Sequence, residues 1–313
     1  MTDVGRLVQR SPREGRLQPS ASGQEGVPRG SGRLTKRRSA PSTLLPYFPR
    51  PLATVAPRDL LLWDFLHLSP SDSVLEIGVG TGSSIIRFAP RVREMHGADV
   101  AAGCVRRLSA ALDHLNGRVP NAKVFVQDFC DDALPPPLRE RYDVIFSCDT
   151  VEHVSRPARF FRNVYQALKP GGRALITFPN EAPARAHGIT WFERRDALEH
   201  ALTTAGFEAL NIDLAQVRMA PAASTVMAVT WNLPRKVGKV LLRIARQPPV
   251  PQVFDDTDFF SFSARLEPIA PAVNLYSWVV MRAMAAVGAV YRIEPLPVDI
   301  WDRQILVRVS RSS

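Results

Sequence analysis

The sequence predicts an α/β protein: a doubly wound sheet of about seven strands, mostly parallel, with its last strand antiparallel and a helical cap inserted before that strand. Three observations predict it. A largely apolar strand, Val74-Leu75-Glu76-Ile77, runs into a turn with glycine at every second position, Gly78-Val79-Gly80-Thr81-Gly82. Strand-like and helix-like segments then alternate as far as Asn180, the order that builds parallel sheets through right-handed crossovers. Finally, roughly 85 residues separate the last two strand candidates, far more than a sheet connection needs.

Residues 1–45 read as a disordered basic tail, because they are rich in Ser, Gly and Pro and have little apolar surface to set against the entropy of ordering. The formal charge of +10 is concentrated there: residues 1–50 hold ten Lys or Arg against Asp3, Glu14 and Glu25, a net of +7, which leaves +3 for the rest. Such a tail can attach to RNA or acidic lipid, or serve only solubility. Ala56–Leu68, with Leu60, Leu61, Leu62, Trp63, Phe65 and Leu66, reads as a buried helix leading into the domain. Val74, Leu75 and Ile77 suit a strand covered on both faces. Ser83 and Ser84 can cap a helix through Ile85, Ile86 and Phe88.

His96–Val100 reads as a second strand ending in an acid, Ala122–Gln127 as the third and Tyr142–Cys148 as the fourth. Leu168–Asn180 contains a turn and the fifth. Glu193–Ala205 is a helix with Leu198 and Leu202 on one face, broken by Gly206. Phe207–Leu214 is the next strand, and Gln304–Val309 closes the sheet. The central domain is therefore assigned to 46–217 and 304–313, and the cap to 218–303. Within the cap, Pro234–Gln247 has Lys236, Lys239, Arg243 and Arg246 at three- and four-residue steps, with Val237, Val240, Leu241 and Ile244 on another side. It reads as a basic amphipathic helix. Val273–Tyr291 is apolar but interrupted by Asn274 and Arg282, which argues against a membrane span.

A glycine-rich turn between strand and helix lets the backbone approach a ligand and turns helix N–H groups toward its polar atoms. Position 83 is serine where dinucleotide binders place a third glycine, which directs the reading away from NAD. The segment Glu76–Gly82 resembles the first motif of the class I S-adenosylmethionine-dependent methyltransferases. The Leu168-Lys169-Pro170-Gly171-Gly172 turn and the Ala205-Gly206-Phe207-Glu208 stretch resemble that family at the corresponding places. The resemblance implies a Rossmann-like fold and S-adenosyl-L-methionine as cofactor. It assigns Glu76, Gly78, Val79, Gly80 and Gly82 to the cofactor loop and Asp99 with Val100 to the ribose. Asp128 with Phe129 falls to the adenine, and Cys148, at the end of the fourth strand, also belongs to the cofactor-binding set.

Methyl transfer needs few obligatory side chains, but a hydroxyl acceptor needs help losing its proton. Candidates follow the fourth strand: Asp149-Thr150-Val151-Glu152-His153, with His187 later. His153 and His187 are the catalytic candidates. The pattern also resembles the Glu-x-x-Glu-His of ubiquinone-biosynthesis O-methyltransferases and, more distantly, of small-RNA 2′-O-methyltransferases. In those the groups hold a divalent cation; here Asp149 replaces the first glutamate, so no metal is assigned, with Asp149, Glu152, His153 and His187 as the alternative set.

The expected activity is methyl transfer to a small-molecule acceptor, at a hydroxyl of a lipophilic metabolite such as a quinone precursor, polyketide or lipid-linked sugar. The cap would supply a hydrophobic tunnel or a peripheral membrane contact. RNA 2′-O-methyl transfer and a non-catalytic adaptor role are the alternatives. Nucleic acid is disfavoured because the central domain is nearly neutral and has no basic patch interleaved with aromatics. Cys104, Cys130 and Cys148 show no Cys-x-x-Cys spacing, and the N-terminal region has no secretory apolar stretch, so a cytoplasmic location is expected. Oligomeric state is left open.

Overall fold

The computed structural model describes residues 57–115, 119–184, 186, 188–232, 269–286, 288 and 290–313. The basic tail, His187 and the segment Pro234–Gln247 lie outside the described residues.

Five strands run parallel: β1 (Ser73–Ile77), β2 (Glu94–Asp99), β3 (Ala122–Val126), β4 (Tyr142–Cys148) and β5 (Leu168–Asn180). Three more extend the sheet beyond β5: β6 (Ile212–Met219), β7 (Tyr291–Pro295) and β8 (Arg303–Ser310). The order across the sheet is β3-β2-β1-β4-β5-β8-β6-β7. β8 is antiparallel to both neighbours, β5 and β6, so β6 again points the same way as β5. β7 pairs antiparallel with β6 at the edge.

Helices cover both faces. α1 (Pro57–Leu66), α2 (Ser83–Phe88) and α3 (Ala102–His114) contribute Leu62, Leu66, Ile85, Phe88 and Leu108 to one buried cluster, against Val74, Val144 and Phe146 of the sheet. On the other face, α4 (Pro157–Ala167) and α5 (Arg195–Ala205) bring Phe160, Phe161, Val164, Leu198 and Leu202 onto Leu75, Ile145, Ile176 and Phe178. Burial on both faces is what β1 encodes: all five of its residues are buried. A third, smaller cluster joins α6 (Pro221–Met227) and α7 (Ala270–Ala286) to the end of the β6–β7 ribbon through Ala223, Val280, Met281, Met284 and Val290. A short π-helical stretch, Ala228–Asn232, follows α6.

The fold class is the one the sequence predicts, with eight strands rather than about seven. The extra strand is β7, which lies inside the range 218–303 assigned to the cap; the segment inserted between β6 and β7 runs from 220 to 290. The strand expected at Phe207–Leu214 starts five residues later. Gly206, at φ +116°, ends α5, and Phe207 is buried edge-on against Tyr165 at 5.1 Å between ring centroids. A single 3-10 turn, Ala209–Asn211, then precedes Ile212. The Ser83 cap is also corrected: Gly82 occupies the N-cap with no side-chain bond, and Ser83 and Ser84 are buried within α2.

Candidate cofactor and acceptor site

The site is built at the C-terminal ends of β1, β2, β4 and β5, where a doubly wound sheet opens its crevice. Leaving β1, the chain turns at Gly78, whose N–H donates to the Ala98 carbonyl at 2.8 Å. Gly78 has φ +80°, and a Cβ there would lie 2.1 Å from Thr150 Oγ1. Both backbone and space therefore exclude a side chain. Gly80, at φ +49°, meets nothing within 4 Å of the place a Cβ would take. It is the point of the turn that borders open space.

Asp99, at the end of β2, accepts the Gly80 N–H on Oδ2 at 3.2 Å and the Ala101 N–H on Oδ1 at 2.9 Å. One carboxylate thus fixes the glycine turn and the start of α3 together. Val100 beside it is 63 % exposed, an apolar surface on the same rim. Asp128, just past β3, accepts the Cys130 N–H on Oδ1 at 2.7 Å. Glu76 is buried one residue before the end of β1, Val79 packs into the core under the turn, and Cys148 closes β4 in a buried position. Phe129 differs from its expected place. Its ring is buried in the core, 6.4 Å from that of Phe160, and its carbonyl accepts the Asn163 side-chain amide. The ring expected beside the adenine is thus part of the floor below.

These residues fit S-adenosylmethionine: a glycine turn facing open space, an acid locked to that turn, a second acid past β3 and an exposed apolar rim are what its ribose and adenine require.

The second half of the site follows β4. Ser147 Oγ donates to the Ile77 carbonyl at 2.9 Å, tying the ends of β4 and β1 together. Asp149 then adopts φ +52°, unusual for a residue with a side chain, and is held from two sides. Its N–H donates to the Thr177 carbonyl at 2.8 Å, and its Oδ1 accepts Gln304 Nε2 at 3.1 Å. The turn Val151–His153 comes next. The Glu152 carbonyl accepts the N–H groups of Ile189 and Thr190, at 2.7 and 3.0 Å, and so holds the loop after β5. Gly188 makes this approach feasible, since a Cβ there would lie 2.3 Å from the Glu152 carbonyl oxygen.

The Glu152 side chain is buried, and burial pushes its carboxyl up to about 8. The negative charges of Asp149 and Glu181 add to the rise, and a backbone hydrogen bond opposes it. Glu152 is therefore mostly protonated at neutral pH. His153 Nε2 lies 3.8 Å from Glu152 Oε1, with its side chain one-third exposed. Of the proposed set, the structure brings together Asp149, Glu152 and His153; His187 lies outside the described residues. Among the described residues no group of three or more His, Cys, Asp or Glu side chains is arranged to hold a metal ion.

Sequence reasoning missed Glu181 and Gln304. Glu181 carries the signal of an acid directly past the fifth strand. Gln304 carries none: it meets Asp149 only because β8 inserts beside β5.

A doubly wound sheet with β8 antiparallel and this glycine-and-acid crevice defines the class I S-adenosylmethionine-dependent methyltransferase fold. The family model described as "Methyltransferase domain" matches residues 43–212, more than half the chain, and the chain belongs to that family. Among curated proteins, phosphoethanolamine N-methyltransferase 3 of Arabidopsis thaliana is 34% identical over 115 residues, covering 36% of this chain and 22% of that protein. An uncharacterised methyltransferase of Bacillus subtilis is 26% identical over 156 residues, covering 49% of this chain and 81% of its own length. This chain spans a quarter or less of the length of its phosphoethanolamine N-methyltransferase relatives from plants and a nematode. Among solved structures, phosphoethanolamine N-methyltransferase 2 of Haemonchus contortus, in complex with phosphomonomethylethanolamine and S-adenosylhomocysteine, superposes with a TM-score of 0.51 at 15% identity. The match covers 82% of this chain and 53% of that one, and supports the fold alone.

Proposed function

We propose that the chain transfers the methyl group of S-adenosylmethionine to a small-molecule acceptor, at a hydroxyl of a lipophilic metabolite. The observation that carries methyl transfer is the Asp99 carboxylate bonded to the Gly80 N–H at the open point of the glycine turn. Gly78, Gly80 and Gly82 would hold the cofactor's polar tail, Asp99 its ribose and Asp128 its adenine side. When bound, the cofactor supplies an electrophilic sulfonium methyl group.

The rest of the work falls to this chain's residues. Displacement in line needs the acceptor atom held close and aligned, a task of positioning. The turn after β4 is braced for it by Gln304, Thr177 and the 188–190 loop. A protonated Glu152 can donate a hydrogen bond, which leaves His153 as the group to take the acceptor's proton.

A second reading is favoured by one observation: Asp149, Glu152 and Glu181 place three carboxyl groups in electrostatic contact beside His153. A cationic or amine acceptor would complement them, and the curated relatives named above include phosphoethanolamine N-methyltransferases.

Calorimetric titration with S-adenosylmethionine tests the first step. Micromolar binding is expected, weakened in Asp99→Ala by the roughly 1 to 3 kcal/mol of a lost charged hydrogen bond. Absent binding would remove the cofactor assignment and leave the adaptor role, whereas an unchanged affinity in the variant would mean that Asp99 does not hold the ribose. Transfer of radiolabelled methyl to phenolic against amine acceptors then separates the two readings.

A further inference from the structure

We propose that a cavity at the opposite end of the sheet from the cofactor crevice binds a small molecule through a dianionic phosphate group. The cavity, of about 470 Å³, lies over the starts of β2 and β3 and is lined by Arg93, Glu94, His96, Lys123, Phe125 and Arg141. Its origin is topological. Parallel strands are joined by crossovers that usually carry an α-helix, but residues 127–141, between β3 and β4, hold no helix beyond the 3-10 turn Pro136–Leu138. The sheet face that α4 and α5 cover elsewhere is therefore left open beside β3. Leu138 of that turn and Phe125 of β3, both packed against the core, form the apolar wall of the cavity.

The charges around the cavity indicate the occupant. Glu94 is the only acid among the described residues that line it, and its oxygens are already engaged. Oε1 accepts the Ser73 hydroxyl at 2.6 Å, and Oε2 lies 3.1 Å from Arg141 Nη2 and 3.5 Å from His96 Nε2. Asp143, close by, lies 2.8 Å from Lys169 Nζ and 3.9 Å from Arg93 Nη2. Four cations, Arg93, Lys123, Arg141 and Lys169, thus meet two carboxylates, which leaves a surplus of two positive charges. Lys123 is exposed and has no hydrogen bond or ion pair among the described residues. Arg141 has its Nε buried without a hydrogen-bond partner. His96 is buried, with Nδ1 3.0 Å from the Tyr142 hydroxyl, and burial holds its ring below the usual imidazole range and so neutral at pH 7. An orphaned guanidinium donor and an unpaired ammonium call for a ligand with several acceptor oxygens and two negative charges, which is what a phosphate monoester presents.

The cavity is separate from the cofactor site. Glu94 and Asp99 are the first and last residues of β2, about 16 Å apart at the rise of an extended strand, and of the two only Asp99 bonds to the glycine turn. The proposal is independent of which acceptor is methylated.

Calorimetric titration of the full chain with inorganic phosphate and with phenyl phosphate, in saturating S-adenosylhomocysteine, tests it. Binding is expected under these conditions and should weaken with salt, with the ring resonances of His96 shifting in a parallel nuclear magnetic resonance titration. Tighter binding of phenyl phosphate would identify an organic ester as the ligand, and equal binding free phosphate; either result supports the site. Lys123→Glu, a change at an exposed side chain, should weaken binding about tenfold or more, with circular dichroism and S-adenosylhomocysteine binding unchanged. Arg141→Gln should weaken it too and reads the same site from its other side. No binding of either probe, equal affinity in Lys123→Glu, or a His96 signal that does not move would overturn the proposal. So would phosphate binding that appears only without S-adenosylhomocysteine, which would place the anion in the cofactor crevice.

Discussion

Helices α4 and α7 solve opposite problems. α4 turns Phe160, Phe161, Val164 and Ala167 onto the sheet and leaves Arg159 and Arg162 at the surface. Its one buried polar side chain, Asn163, is engaged by the carbonyls of Phe129 and Asp131. α7 buries Asn274 and Ser277 along with Val280, Met281 and Met284, and turns Leu275, Tyr276 and Val279 outward. In α4 the whole apolar face is consumed inside the fold, so its sequence reports on stability. In α7 apolar side chains are left at the surface, so part of its sequence contributes little to the core.

The largest expected effect lies on α4. Phe161→Ala should lower the free energy of unfolding by about 3 to 5 kcal/mol, read from urea denaturation, because a fully buried ring leaves a cavity. A loss below about 1 kcal/mol would mean that the sheet face relaxes around α4 and that the contrast with α7 is weak.

Glu152→Gln is intermediate and probes the turn after β4. With its folded value raised to about 8, Glu152 contributes stability that is fully present below its unfolded value, near 4.5, and is lost as pH rises through 8. The glutamine cannot ionise. The variant should therefore be more stable than the parent by roughly 1 to 3 kcal/mol at pH 8.5 and nearly equal to it at pH 4.5. Parallel stability–pH curves for the two proteins would show that Glu152 is ionised in the fold.

The smallest effect is predicted on α7. Leu275→Ser should change stability by no more than about 0.5 kcal/mol, since the side chain is half exposed. A core-sized loss in the same urea experiment would place Leu275 in a packed interface and erase the comparison.

Much of the framework is legible because it obeys local rules. β4 spans Tyr142–Cys148 as its Val144-Ile145-Phe146 centre implies, and Gly78 and Gly80 stand where the turn needs them. Asp99 is legible for the same reason, being the acid that ends β2. What escaped depends on distant partners. Tyr291–Pro295 is too short and too polar to announce a strand, and becomes one by pairing with β6. Ser83 loses its capping role to Gly82, whose left-handed backbone starts the helix without a side chain. Phe129, placed beside the adenine by the family resemblance, is buried in the core against Phe160, a packing that local sequence does not announce. The Asp149–Gln304 bond spans 155 positions of sequence, which no local pattern encodes.

The position of β8 sets the order in which the molecule can assemble. β8 follows β6 and β7 along the chain yet lies between β5 and β6 in the sheet. During synthesis β1 to β5 can pair as they emerge, but the β6–β7 ribbon has nothing to join until residues 303–310 leave the ribosome. Until then β5 and β6 both present open edges, so this interval is when the nascent chain is most exposed to aggregation. Pairings of such long sequence separation also make the last step slow. Arrival of β8 closes both edges at once and, through Gln304, fixes Asp149, so the fold is completed and the site is braced in the same event.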